Sequence, residues 1–526
     1  MSSPDTIKME RYFLGCDLPL PGLCARKLAE EVLQKGEKGA FPSFSGTVMV
    51  LPGSFAIREF RKELANHFPG GCLPPKLFTQ GSFRNQYGGP VSPEEKSATK
   101  EEALYLWTKV LTSSDPQKFP HILSGMEGSD FQGYLALARK IQEFRGELDQ
   151  GGLSLKEAVD LAPGTDPERR KELLLLEESY CQLAGASSLA DPFIQRHLAA
   201  DLLPRYLEGL PPAELPERII IAGIPDLSNA CRKILSFWGE KLPLEIWITA
   251  SPAESPLMDD WGCPIPQAWE NRPLPLEEDA FAQTIFHGET VRDMVHLACA
   301  VGCRHGVFDP NKTQFIAAGR EISPILTEKL REMTGGEMVY DPAGLPLASL
   351  RISRFLRFLQ ELCREEGGNW EEILTHLRSS EILSFGGRIT GTSPNTLLKE
   401  LDDLLLEHLP DTLENALFFA SPSWQEILQK LKEFQEIFRK APCENLPRIL
   451  SEIFHKGEFP PVDSIPFPDE YTAFLTLLEE LKNSHILSLL PPEPFLELLL
   501  LKAGSIMLYP PRRENSPETW TSNSSS

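Results

Sequence analysis

Residues 45–68, "SGTVMVLPGSFAIREFRKELANHF", decide how the rest of the chain is read. A short apolar strand, "TVMVLP", runs into a Pro52-Gly53-Ser54 corner and then directly into a helical pattern. Ile57, Phe60, Leu64 and Phe68 recur at i, i+3, i+7 and i+11, the spacing of one helix face. Ser54 is the expected N-cap, and Arg58, Arg61 and Lys62 fall mostly off the apolar face. Strand, tight corner and helix make up the repeating unit of α/β folds. In many nucleotide-binding folds such a corner holds a phosphate through free amides and the helix dipole.

The same grammar returns twice. "RIIIAGIPDLSNACRKILSFWGEKLPLEIWITASP" gives a strand at 218–222, a Gly-Ile-Pro-Asp corner, a helix carrying Ala230, Ile234 and Trp238, and a strand at 244–249. Continuous β-branched runs of this kind mark parallel strands buried on both faces. A third copy starts with the helix "ETVRDMVHLACAVGCRHG" and continues through strand "TQFIAAG", helix "SPILTEKLREM" and strand "EMVYD". Between the first two copies, leucine-rich pieces such as "EEALYLWTKVL" and "YLALARKIQEFRGEL" show no convincing strand. The expected organisation is therefore an α/β multidomain chain with large α-helical insertions. Residues 1–96 and 209–285 form a first sheet domain, 97–208 a helical insertion, 286–350 the start of a second sheet domain, 351–505 a helical region and 506–526 a disordered tail.

At 526 residues the chain exceeds what one core can fill. Apolar residues make up 41% and charged ones 24%, and no apolar run approaches the roughly 18–20 residues of a membrane span. "MSSPDTIKMERYFLG" lacks the pattern of a secretory signal, so the expected location is cytoplasmic, with no membrane partner. The ten cysteines are widely spaced and suggest no disulfide framework. A net charge of −23 argues against non-specific coating of nucleic acid. Yet up to Asn85 there are eleven Lys/Arg against eight Asp/Glu, which leaves the remainder at −26. Any nucleic-acid surface is expected near the N-terminus.

Catalytic chemistry is hard to find. A phosphate-binding loop needs G-x-x-x-x-G-K-[ST], and "YFLGCDLPLPGLCARKLAEEVL" offers Gly15 and Gly22 without it. After "RIIIA", Ala222 and Gly223 stand where a motor places paired acids for Mg²⁺, with Asp226 beyond the corner. "HLACAVGCRH" puts His296, Cys299 and Cys303 on one helix face with His305 after it, but no second Cys pair follows and core packing is the favoured account. There is no G-x-S-x-G elbow, and Glu277-Glu278-Asp279 and Asp402-Asp403 read as solvated faces. No catalytic residue, cofactor or metal ligand is assigned.

Taken in order, these pieces resemble the N-terminal, helicase-like half of the B subunit of AddAB-type helicase-nucleases, which repair double-strand breaks. The resemblance is carried by "TVMVLPGSFAIREFRKEL", "LPPKLFTQGSF", "YLALARKIQEFRGELDQGGLSLKEAV", "RIIIAGIPDLSNACRKILSFWGEKLPLEIWI" and "DPAGLPLASLRISRFLRFLQEL", over most of residues 10–380. It implies degenerate RecA-like, P-loop-NTPase-like parallel-sheet domains, DNA binding, an AddA-like helicase partner, and a PD-(D/E)XK nuclease domain with a cysteine-held iron–sulfur cluster. The nuclease should follow residue 500, where this chain runs into "ENSPETWTSNSSS", so a truncated or frame-shifted product without nuclease or cluster is expected. By position, the resemblance puts Ser54, Arg58, Arg61, Lys62 and the loop Thr79-Gln80-Gly81 near the DNA backbone. The function expected is that of a non-hydrolytic DNA-binding subunit. The alternative, drawn from the acidic charge and missing chemistry, is a protein-interaction scaffold that does not bind DNA. A small anion at the Pro52-Gly53-Ser54 corner is the third.

Overall fold

A strand built only from apolar side chains has no face to offer water, so it belongs inside a sheet covered on both sides. In the computed structural model of the chain this holds for Thr47–Val50 (β2), Arg218–Ala222 (β4) and Leu244–Ile248 (β5), apart from Thr47, Arg218 and Glu245, where Arg218 donates to both of the others. Met9–Phe13 (β1) and Lys76–Phe78 (β3), which are more polar and more exposed, close the two edges. The order is β1-β5-β4-β2-β3, and every pairing is parallel, with Val48 opposite both Ile219 and Lys76. The structure describes residues 9–35, 41–90, 96–126, 128–161, 166–270, 286–302, 314–317, 319, 321–333, 344–364, 370–454, 470–509 and 518–521.

The two-residue period of a strand sorts the core. Met49, Ile220, Ala222 and Trp247 face Leu20–Lys35 (α1) and Ser54–His67 (α2), against Cys24, Leu28, Phe60 and Leu64. Val48, Val50, Ile219, Ile221 and Ile246 face the other way. There they meet Phe83 of Gln80–Tyr87 (α3) and, further along the chain, Ile234 and Trp238 of a helix over Asn229–Gly239. The result is three layers with helices on both faces of a parallel sheet.

Between β3 and β4 the chain leaves for five helices: Lys100–Ser113 (α4), Phe131–Gly151 (α5), Leu155–Leu161 (α6), Pro167–Ala186 (α7) and Pro192–Gly209 (α8). Their starts are set by side chains. Thr99 and Glu102 form a capping box, and Asp130, Asp166 and Asp191 cap α5, α7 and α8, the last two followed by proline at the first helical position. At the base of this insertion, Lys96–Ser97 and Leu189–Ala190 make a two-residue parallel pairing that the sequence pattern does not show. Leu203 and Leu207 of α8 return to the sheet core, and the chain re-enters at β4 before the helix Asn229–Gly239 (α9).

These elements form one unit, Met1–Pro275, and Leu276–Ser526 forms a second. In the second, helices Val291–Gly302 and Ile322–Met333 pack over strand Gln314–Ala317 around Val295, Cys299, Phe315, Leu326 and Leu330. The expected strand "EMVYD" lies outside the described residues. Residues 351–505 are helical where described, and the proline joints open helices: Ser393 and Ser421 cap Pro394–His408 and Pro422–Lys440. Within 506–526, Met507–Leu508 pairs antiparallel with Leu345–Pro346, and Glu518–Thr521 pairs parallel with Gln314–Ala317. Among the described residues, no helix is long and apolar enough to cross a membrane.

Candidate functional site

All five strands end at the same edge of the sheet, where open α/β folds place their ligands. From β2 the chain steps outward through α2 to β3, whereas from β4 it steps back through α9 to β5, on the opposite face. The reversal falls between β2 and β4. The corners that meet there are Leu51-Pro52-Gly53 and Gly223 to Ser228.

The structure gives these corners little nucleotide chemistry. After β1, Leu14 N–H donates to the Ile248 carbonyl (2.8 Å) and Gly15 N–H to that of Ala250 (3.2 Å), which carries the pairing with β5 two residues past the strand. Asp17, bonded to Arg26 at 2.6 Å, adds a carboxylate, which that hydrogen bond holds below its usual range. After β4, Gly223 has φ +59°, and a Cβ there would meet Leu20 of α1 at 2.6 Å. An apolar side chain thus covers this corner. Among the described residues, no group of His, Cys, Asp and Glu is placed to bind a metal ion. His296 is exposed and Cys299 is buried in the small apolar core, while Cys303 and His305 lie outside the described residues.

Of the residues expected at a DNA surface, Ser54 is exposed and is the first residue of α2, not its cap. The N-cap is Gly53, in extended backbone at φ −170°, and no side chain caps the helix. The strand stops at Val50, and the corner uses one residue fewer than a Ser54 cap requires. Arg58, Arg61 and Lys62 are exposed on α2. Arg58 and Lys62 flank Glu59 at 3.7 Å each, and both cations stay more than half exposed. The Arg58 guanidinium lies 5.1 Å from the Phe55 ring centre. Among the described residues, Arg61 makes no ion pair.

The loop after β3 is more heavily committed. Thr79 forms a reciprocal capping box with Ser82. Gln80 donates through Nε2 to the Asp226 carbonyl (2.7 Å) and accepts at Oε1 from Ser228 N–H (3.2 Å). Because β2 lies between β3 and β4, this side chain spans the end of β2 and ties the two neighbouring corners together. Gly81 is exposed with open space around it. The structure therefore brings Ser54 and Gly81 to adjacent strand ends, puts three cations along α2, and gives Thr79 and Gln80 intramolecular work.

Sequence reasoning missed a second cluster, on the other face of the sheet. Asp149 at the end of α5 accepts from Arg84 of α3 (2.9 Å) and Arg196 of α8 (3.0 Å), with Lys233 of α9 nearby. These residues come from four helices far apart in the chain, and no local pattern links them. No family model matches the chain, and no curated protein matches it either.

Proposed function

We propose that the chain is a non-hydrolytic, helicase-like DNA-binding subunit, of the kind the AddB resemblance implies, holding a DNA end beside an AddA-like catalytic partner in double-strand break repair in the cytoplasm. The observation that carries this reading is a five-stranded parallel sheet whose ligand edge lacks phosphate-loop and metal chemistry yet adjoins an exposed cationic helix. A degenerate RecA-like character is supported by helices on both faces, the reversal between β2 and β4, and the large helical insertion between β3 and β4. Arg58, Arg61 and Lys62 supply the phosphate contacts, with the uncapped amides of α2 at Ser54 and the open backbone at Gly81 beside them.

Salt titration of duplex binding tests this. Replacing Arg58, Arg61 and Lys62 together by Ala should flatten the slope of log affinity against log salt by about 0.9 for each phosphate no longer neutralised, uniformly across sequences. Because all three side chains are exposed, the fold should be unaffected. An unchanged slope removes α2 from the DNA surface.

One observation favours the second reading, an acidic interaction scaffold. Ile194, Leu198, Leu202 and Tyr206 recur every four residues along α8, and all are exposed. Contiguous exposed apolar surface marks a protein interface. A partner complex on a sizing column, with no DNA retained by this chain, would favour it.

A further inference from the structure

Helix α5 carries an apolar stripe that the sheet core does not use. Leu137, Ile141, Phe144 and Leu148 recur at i, i+4, i+7 and i+11 and line a cavity of about 520 Å³, to which α6 adds Ala158 and α7 adds Leu173. Phe144 is left 42% exposed there. The charged groups at this cavity are of one sign: Lys140, Arg169 and Arg170 line it and, among the described residues, no carboxylate does, in a chain whose net charge is −23. Arg170 is committed, since its Nη1 donates to the Val159 carbonyl (3.1 Å) and ties α7 to α6. Lys140 and Arg169 are exposed, which puts them at the mouth, and among the described residues neither makes an ion pair. Arg169 also stands in the first turn of α7, where the helix dipole favours negative charge. An apolar cavity with two unspent cations at its mouth calls for a ligand that is apolar along its length and anionic at one end.

We infer that this cavity binds a single-chain monocarboxylate of the fatty-acid kind, its hydrocarbon along the α5 stripe and its carboxylate between Lys140 and Arg169. The volume falls in the range of small-molecule sites, about 300–1,000 Å³. A partner helix, about 10–12 Å across with its side chains and 5.4 Å per turn, would fill it with a single turn, so a peptide would gain little from it. A planar carboxylate matches the fork of an arginine, and a lysine beside it adds a second charge-assisted hydrogen bond. The site uses neither α2 nor the apolar stripe of α8. It therefore depends on neither the DNA-binding reading nor the scaffold reading, and each can fail without the other.

The test is calorimetric titration of the full chain with octanoate, decanoate and dodecanoate below their micellar concentrations, with 1-decanol as the uncharged control. Saturable binding is expected, tightening by up to about fourfold for each added methylene, with decanol weaker than decanoate. Ala158→Trp, which fills the cavity, should weaken decanoate by about tenfold or more while the melting temperature of the free protein holds or rises. Arg169→Gln and Lys140→Gln, both at exposed positions, should each weaken decanoate by about two- to fivefold and leave decanol unchanged. A merely structural role for either cation predicts equal effects on acid and alcohol. Should Ala158→Trp fail to fold, the two exposed variants decide. No saturable binding, affinity that does not change with chain length, equal affinity for acid and alcohol, or wild-type affinity in the variants overturns the site.

Discussion

In the sheet, Ile219, Ile220 and Ile221 are buried among apolar neighbours, whereas in the insertion the most buried cation, Arg145, is ringed by charge. Its guanidinium makes a bidentate pair with Asp191 at 3.0 and 3.1 Å and donates through Nε to Glu177 at 2.8 Å. The rings of Trp107, Tyr180 and Phe193 lie within 5.5 Å of it, and Trp107 stacks on Tyr180 at 4.6 Å. Asp191 also accepts from the Tyr180 hydroxyl (2.7 Å) and caps α8 through the amides of Phe193 and Ile194. An apolar core loses stability in increments as methylenes are removed. A buried ionic cluster behaves differently, because removing one member strands the others. The insertion is held by an interlocked ionic set as well as by apolar packing, whereas the middle of the sheet is packed by apolar side chains.

The sharpest break of this contrast is Arg145→Ala. It leaves Asp191 buried without its counter-charge and should cost about 3–5 kcal/mol. Amide exchange on the variant should show α5, α7 and α8 losing protection while β2, β4 and β5 keep theirs. Equal loss in both would mean that sheet and insertion unfold as one cooperative body.

Acid should separate the two regions more gently. Burial alone would push the Asp191 carboxyl up, but Arg145 and the hydrogen bonds from Tyr180 and the α8 backbone hold it below its ordinary value of 3.8. A depressed native pKa contributes stability that is present above 3.8 and lost as the pH falls through that value toward the native pKa. Burial moves Glu177 the other way, up from 4.5, against the pull of Arg145. Its protonation, as the pH falls through the raised native pKa toward 4.5, therefore stabilises the fold and leaves the Asp191 pair intact. The insertion should thus hold or gain stability down to about pH 4.5 and lose it below 3.8, and Asp191→Asn should remove that lower limb from a pH series of denaturant midpoints.

The same contrast explains what is legible in the sequence. The strands 47–50, 218–222 and 244–248, and the apolar face of α2, are local patterns, and each appears where its periodicity places it. β1 is not apparent, because "MERYF" is an edge strand with Glu10 and Arg11 in it and pairs with a strand more than 230 residues away. Strand order and the Gln80 bridge depend on right-handed crossovers and corner geometry that no window of sequence contains. The Arg145 and Asp149 clusters are hidden for a related reason: a buried charge looks like a solvated one until its partners from other helices are known.

The smallest expected effect lies in how the two regions start their helices. Asp191 caps α8 from inside the ionic cluster, whereas α2 begins at Gly53 with no side-chain cap. Gly53 has extended backbone that any residue can adopt, and nothing stands within 4 Å of where its Cβ would be. Both Gly53→Ser and Gly53→Asp should therefore supply the missing cap and raise stability by about 0.5 kcal/mol, with aspartate gaining slightly more from the helix dipole. The two variants differ in charge at the N-terminus of α2, beside Arg58. If a DNA phosphate docks there, Gly53→Asp should weaken duplex binding while Gly53→Ser leaves it near wild type, and the gap should shrink as salt is raised. Equal affinity in the two variants would move the phosphate contact away from this corner and leave the sheet edge with a helix that is merely uncapped.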